Sequence, residues 1–95
     1  MEKEKKYLTD RTQILKKLGI LLEPWLNDTY PSESLNEQTR LLSDLGLDSV
    51  AILQLLLGIE KELNVVIKDH ELDSELFSKM GNLIDIIESK LNAIN

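Results

Sequence analysis

Cysteine is absent from this sequence. No disulfide can staple the chain, and no thiolate can bind metal or act as a nucleophile. The single histidine, His70, has no cysteine neighbours with which to build a zinc site, so no metal site is expected. Aromatic residues number four, and runs of β-branched residues are short, so strand signals are weak. No apolar run approaches the ~20 residues needed to cross a bilayer. The N-terminal MEKEKKYLTD lacks the apolar stretch of a signal peptide. These absences lead us to expect a cytoplasmic protein without a membrane span.

Apolar residues make up 42% of the 95. That suffices for a core and argues against disorder, in a single domain over residues 1–95 near the lower size limit for independent folding. Residues 1–17 hold six Lys/Arg against three Asp/Glu, a net of +3. The remainder holds five against fourteen, a net of −9. Residues 1–8 read as a flexible basic tail. An acidic body repels nucleic acid, which needs clustered Lys and Arg. It is compatible with steering of basic protein partners, or simply with solubility.

Helical periodicity dominates. Thr9 or Asp10 can cap a first helix whose apolar positions Ile14, Leu15, Leu18, Leu21, Leu22, Trp25 and Leu26 form one stripe, with Pro24 ending or kinking it near Leu22 or Glu23. Residues 27–44 read as a long loop with Leu35, Leu41 and Leu42 as anchors, joined by Leu45 just beyond it. A second helix should run from about Ser49 to Leu63, closed by a left-handed Asn64. Val65 to Ile67 form an extended link. A brief third helix is expected from Asp73 to Phe77, and a fourth, capped by Ser78, from about Lys79 to Asn92. The fold class is therefore all-α: a four-helix bundle with a short third helix and a long loop between helices 1 and 2.

The second helix carries two apolar faces. With Ser49 at zero and a step of about 100° per residue, Ile52, Leu55, Leu56, Ile59 and Leu63 fall between about 240° and 340°, the expected core stripe. Leu53, Leu57 and Val50 fall at about 40°, 80° and 100°, outside it. They form an outer strip beside Ser49, either a docking patch or a surface covered by the loop. Ser49 itself can cap the helix or be presented to another protein. As a catalytic nucleophile it would need a base, and without one in reach no catalytic residue is expected. His70 lies beyond the end of a helix that is itself ~20 Å long, and the G-x-S-x-G elbow is missing. A phosphate attached at a helix start is electrostatically tolerated.

The segment TRLLSDLGLDSVAILQLLLGIEKEL resembles the acyl carrier protein family, whose signature D-L-G-x-D-S-[LV] reads here Asp44, Leu45, Gly46, Leu47, Asp48, Ser49, Val50. The likeness extends from the lead-in LNEQTRLL through FSKMGNLIDII, roughly residues 10–92. It implies a non-enzymatic carrier whose Ser49 bears 4′-phosphopantetheine, donated by coenzyme A through a separate magnesium-dependent phosphopantetheinyl transferase, with Asp48 helping the transferase recognise the site. Acyl groups then ride as thioesters on the terminal thiol of that group. The resemblance also implies a partner face at Val50, Leu53, Gln54, Leu57, Glu60 and Lys61. It places an acyl pocket at Leu41, Leu55, Ile59, Ile67, Phe77, Leu83 and Ile86. Partners would be the transferase, an acyl- or aminoacyl-loading ligase, and downstream synthase or transferase enzymes, met by a monomer.

One departure stands out. Carriers of general fatty acid synthesis have a strongly acidic second helix, whereas Ala51, Gln54 and Lys61 stand at positions often acidic there. That points to a dedicated lipid or secondary-metabolite pathway. The run LQLLLGIEKEL is also similar to D-alanyl carrier proteins, which keeps an aminoacyl cargo open. An unmodified helical adaptor and a hydrolase using Ser49 are the rival classes.

Overall fold

The computed structural model describes residues 10–26 and 30–94. The expected basic tail at residues 1–8 lies outside the described residues. Among those described there are three α-helices and no strand: α1 (Arg11–Leu22), α2 (Ser49–Leu63) and α3 (Met80–Ile94). Short 3-10 turns lie at Glu23–Trp25, Ser32–Ser34 and Asp69–Glu71.

Each α-helix starts and stops for a local reason. Asp10 caps α1 by accepting from the Thr12 amide at 2.9 Å. Pro24 then tightens the exit into a 3-10 turn, closed by the Leu26 amide on the Glu23 carbonyl at 3.1 Å. Asp48 caps α2, accepting from the Ala51 amide at 2.8 Å. Asn64, at φ 58° and ψ 41°, closes α2 in the left-handed conformation, its amide on the Glu60 carbonyl.

The cap expected at Ser78 is not made. Its hydroxyl donates to the Glu75 carbonyl at 2.8 Å and accepts from the Asn82 side chain at 3.0 Å. The first amides of α3 are met instead by the long loop: Met80 donates to the Thr39 carbonyl at 2.7 Å and Gly81 to the Glu37 carbonyl at 2.9 Å. A Cβ on Gly81 would lie 3.1 Å from that Glu37 oxygen, so glycine lets the loop backbone rest against the helix.

The short third helix expected from Asp73 to Phe77 forms turns instead of an α-helix. Asp73 Oδ1 accepts from the Leu76 amide at 2.9 Å, and the Leu76 and Ser78 amides reach back only three residues. So short a segment cannot offset the cost of helix nucleation, and its Asp and Ser side chains compete for the same backbone groups. Burial of Leu76 and Phe77 holds the turns in place.

The core joins Ile14, Leu18 and Leu22 of α1, Ala51, Leu55 and Ile59 of α2, and Met80, Leu83, Ile84 and Ile87 of α3. Leu41 and Leu47 pin the loop into it, whereas Leu42, expected as an anchor, is exposed.

Arg11 ties three elements together. Its guanidinium donates to both Glu37 carboxylate oxygens at 2.9 and 2.6 Å, to Asp85 at 2.6 Å and to Glu88 at 2.9 Å. The hydrogen bonds from Arg11 hold the Glu37 carboxyl below its usual range, against a smaller opposing effect of burial. A depressed carboxyl stabilises the fold above its unfolded pKa of about 4.3, and that contribution disappears as pH falls through the folded value. The wild-type melting temperature should therefore fall on acidification below about pH 4. Arg11→Ala leaves three carboxylates facing one another and should cost about 1 kcal/mol at neutral pH. Their repulsion relaxes on protonation, so the loss should shrink as pH falls. Thermal denaturation of both proteins between neutral pH and pH 3 checks this; an equal loss at every pH would show that the carboxylate charges play no part in it.

Candidate functional site

The segment from Asp44 to Asp48 folds as a tight approach to α2 in which each residue has a structural task. Asp44 Oδ2 accepts from the Arg40 amide at 2.8 Å, and its own amide returns to the Arg40 carbonyl at 2.8 Å. The Arg40 amide is the main reason that the Asp44 carboxyl sits below its usual range. Leu45 is half-buried against the core. Gly46 turns the chain at φ 69°, a left-handed backbone that side chains disfavour. Leu47 is buried, and Asp48 caps the helix.

Ser49 has no such task. It is the first residue of α2, is exposed, and its hydroxyl makes no hydrogen bond to the described residues. Among the described residues no base is hydrogen-bonded to the hydroxyl, so they assemble no nucleophilic pair. His70 is exposed on the turn Asp69–Glu71. Among the described residues no cluster of His, Asp or Glu could hold a metal ion.

Val50, Leu53 and Leu57 are 64%, 58% and 57% exposed, so the loop does not cover the outer strip of α2. Gln54, Glu60 and Lys61 are exposed as well. All six expected partner residues fall within an arc of about 20° to 140° from Ser49, on one face of α2.

A groove of about 720 Å³ opens at Ser49. α2 contributes Ser49, Ile52, Leu53 and Leu56, a stripe at i, i+3, i+4 and i+7 that Ser49 heads. Leu42 and Leu47 come from the loop, and Leu72, Asp73, Ser74 and Phe77 from the turns before α3. Of the residues expected to line an acyl pocket, Phe77 alone borders this groove. Leu41, Leu55, Ile59 and Leu83 are at most 1% exposed in the core, and Ile67 and Ile86 pack half-buried against it. Sequence reasoning missed Leu42, Leu47 and Leu72. The stripe of Ile52 and Leu56 at helical spacing from Ser49 was the available signal, but it reads equally as core.

The far side of the groove is fastened by a half-buried ion pair. Lys90 of α3 lies 2.9 Å from Glu71, whose other oxygen accepts from the Lys68 amide at 2.7 Å. That amide, and then Lys90, hold the Glu71 carboxyl below its usual range.

The exposed serine, its capped helix start and the adjoining apolar groove fit a serine-linked prosthetic group. The family model described as "Phosphopantetheine attachment site" matches residues 16–87. The acyl carrier protein AsbD of Bacillus anthracis is 39% identical over 54 residues, 57% of this chain and 59% of that protein. An acyl carrier protein of Thermotoga maritima is 29% identical over 88% of this chain and 99% of its own length. One of Phytoplasma australiense is 35% identical over 82% of this chain and 97% of its own. The chain belongs to the phosphopantetheine-bearing acyl carrier protein family: it is a carrier and not an enzyme, and its prosthetic group is covalently attached 4′-phosphopantetheine.

Proposed function

We propose that Ser49 is the attachment serine and that the chain serves a dedicated lipid or secondary-metabolite pathway, meeting its partners through the outer strip of α2. The observation that carries the first part is that residues Asp44 to Asp48 are committed to folding, whereas Ser49 is exposed and its hydroxyl bonds to none of the described residues. Loading joins Ser49 Oγ to a phosphorus of coenzyme A and breaks its pyrophosphate bond, releasing adenosine 3′,5′-bisphosphate. The hydroxyl proton passes to a base of the transferase. Asp48 fixes the helix start that presents the hydroxyl and leaves an exposed carboxylate beside it. The free amides of the first turn favour the negative phosphate there. Once attached, the group supplies the thiol that carries acyl cargo as a thioester, chemistry that a chain without cysteine cannot provide itself.

Intact mass tests this reading. Incubated with coenzyme A and a broad-specificity phosphopantetheinyl transferase, the protein should gain one phosphopantetheinyl group. An adaptor or a hydrolase would gain nothing.

The charge of α2 supports the reading of a dedicated partner. The helix has no acid in its first turn, and Lys61 offsets one of Glu60 and Glu62, leaving a net of −1. Exposed charges are screened by salt, whereas burial of Val50, Leu53 and Leu57 is not. Leu57→Ala should weaken binding to the acyl-loading enzyme by ~1–2 kcal/mol, and Glu60→Gln by less than ~1 kcal/mol. Calorimetry at low and high salt separates the two. A larger loss for Glu60→Gln, or binding abolished by salt, would mean recognition by charge and remove the argument for a special partner.

A further inference from the structure

Val50, Leu53 and Leu57 follow one another at i, i+3 and i+7, the spacing of a coiled-coil seam, and each is more than half exposed. Gln54, Glu60 and Lys61 flank them. The charges of Glu60 and Lys61 cancel, so this face is neutral on a chain whose net charge is −6. Two copies of an acidic protein repel least where neither presents net charge, and burial of apolar surface favours the same approach. The sequence of the strip also selects an orientation. In an antiparallel pair turned about a two-fold axis midway between Leu53 and Gln54, Val50 of each copy stands across from Leu57 of the other, and the two Leu53 side chains meet near the axis. Every apolar residue of the strip is then used. A parallel pair would set Glu60 against Glu60, because it continues the seam three residues after Leu57, and would align the like ends of the two helix dipoles. The antiparallel pair avoids both. It also brings Lys61 of each copy toward the helix start of the other, where Asp48 is exposed.

We propose that the outer strip of α2 binds a second copy of this chain, as an antiparallel pair of α2 helices that covers Val50, Leu53 and Leu57 and withholds them from other partners. The inference rests on the reading of the strip as a docking face, and does not need Ser49 to be the attachment point. A single helix pair is small beside the ~1,200–2,000 Å² buried in stable interfaces, so the two copies exchange freely, with a dissociation constant on the order of 100 μM. The second copy and the acyl-loading enzyme compete for one surface. Dilution frees the strip, and the monomer is the form that meets the enzyme.

The test is sedimentation velocity of the full, unmodified chain at concentrations from tenfold below to tenfold above that constant. We expect a reversible passage from monomer to dimer. Val50→Lys and Leu57→Glu, both at exposed positions, should each weaken association about tenfold or more, since each sets a charge against an apolar side chain. Mixing these two variants in equal amounts should restore much of it, because the new opposite charges then face each other across the pair. Ile20→Glu, a change at an exposed apolar residue of α1, should leave association as it was. Circular dichroism verifies that every variant is folded. In a dimer of differently labelled copies, NMR contacts between copies should join Val50 to Leu57. A chain that stays monomeric throughout, a dimer that survives both strip variants or is lost with Ile20→Glu, no recovery on mixing, or contacts that join Val50 to Val50 would each overturn the proposal. A strip that serves the acyl-loading enzyme alone gives the first of these results and keeps its calorimetric signal with that enzyme. Loss of that signal as well would remove the docking reading itself.

Discussion

Ser49→Ala should fold like the wild type and accept no prosthetic group. The loss of modification is complete because no other side chain takes the place of the hydroxyl at the head of α2. The fold is indifferent because the helix is capped by Asp48 and the Ser49 hydroxyl bonds to none of the described residues. Exposed substitutions of this kind usually fall within about 0.5 kcal/mol. Asp48→Ala provides the contrast, since loss of the cap should cost about 1 kcal/mol whatever becomes of loading. Ser43 is also exposed and lies six residues earlier, so Ser43→Ala should still be loaded in full. Circular dichroism, thermal denaturation and intact mass on the three variants decide the matter. Mass gained by Ser49→Ala, or lost by Ser43→Ala, would place the attachment elsewhere.

Thr39→Val should produce the largest loss of stability among the changes considered, about 1–3 kcal/mol. Thr39 is the buried polar residue of the core, 2% exposed. Its Oγ1 accepts from the Asn36 amide at 3.0 Å and shares a hydrogen bond of 3.1 Å with the Tyr30 hydroxyl. Its carbonyl accepts from the first amide of α3 at 2.7 Å. Valine keeps the shape and removes the oxygen, so both side-chain bonds go at once and the amide loses its buried partner. For a domain of this size, that corresponds to a fall of roughly 5–15 °C in melting temperature. Thr39→Ser keeps the oxygen and should retain most of the stability. If the valine variant melts no lower than the serine variant, the hydroxyl does not hold the loop, and Leu41 and Leu47 do so by burial alone.

Much of this molecule was determined by the sequence itself, because the signals are local. Asp10, Pro24, Asp48 and Asn64 act within a turn of where they stand, and the boundaries of α1 and α2 follow from them. The helical stripe of α2 sets Val50, Leu53 and Leu57 apart from the core face by angle alone, whereas only the path of the loop left them uncovered. The Asp48 cap is equally local, and it leaves the Ser49 hydroxyl bonded to none of the described residues.

The tertiary structure decided what depends on neighbours distant in sequence. The start of α3 is capped by carbonyls of Thr39 and Glu37, some forty residues away, and nothing at Ser78 could announce it. The turns at Asp73–Phe77 lost a contest between local side-chain bonds and a helix too short to nucleate, an outcome that apolar spacing does not encode. Arg11 reads as one cation in a basic segment until folding brings Glu37, Asp85 and Glu88 around it. The same limit governs the groove beside Ser49. Leu41 and Leu42 are adjacent and chemically identical, yet one is sealed in the core and the other stands at the groove. Only the path of the loop distinguishes them, and that path is set by hydrogen bonds to α3 and by the burial of Leu41 and Leu47.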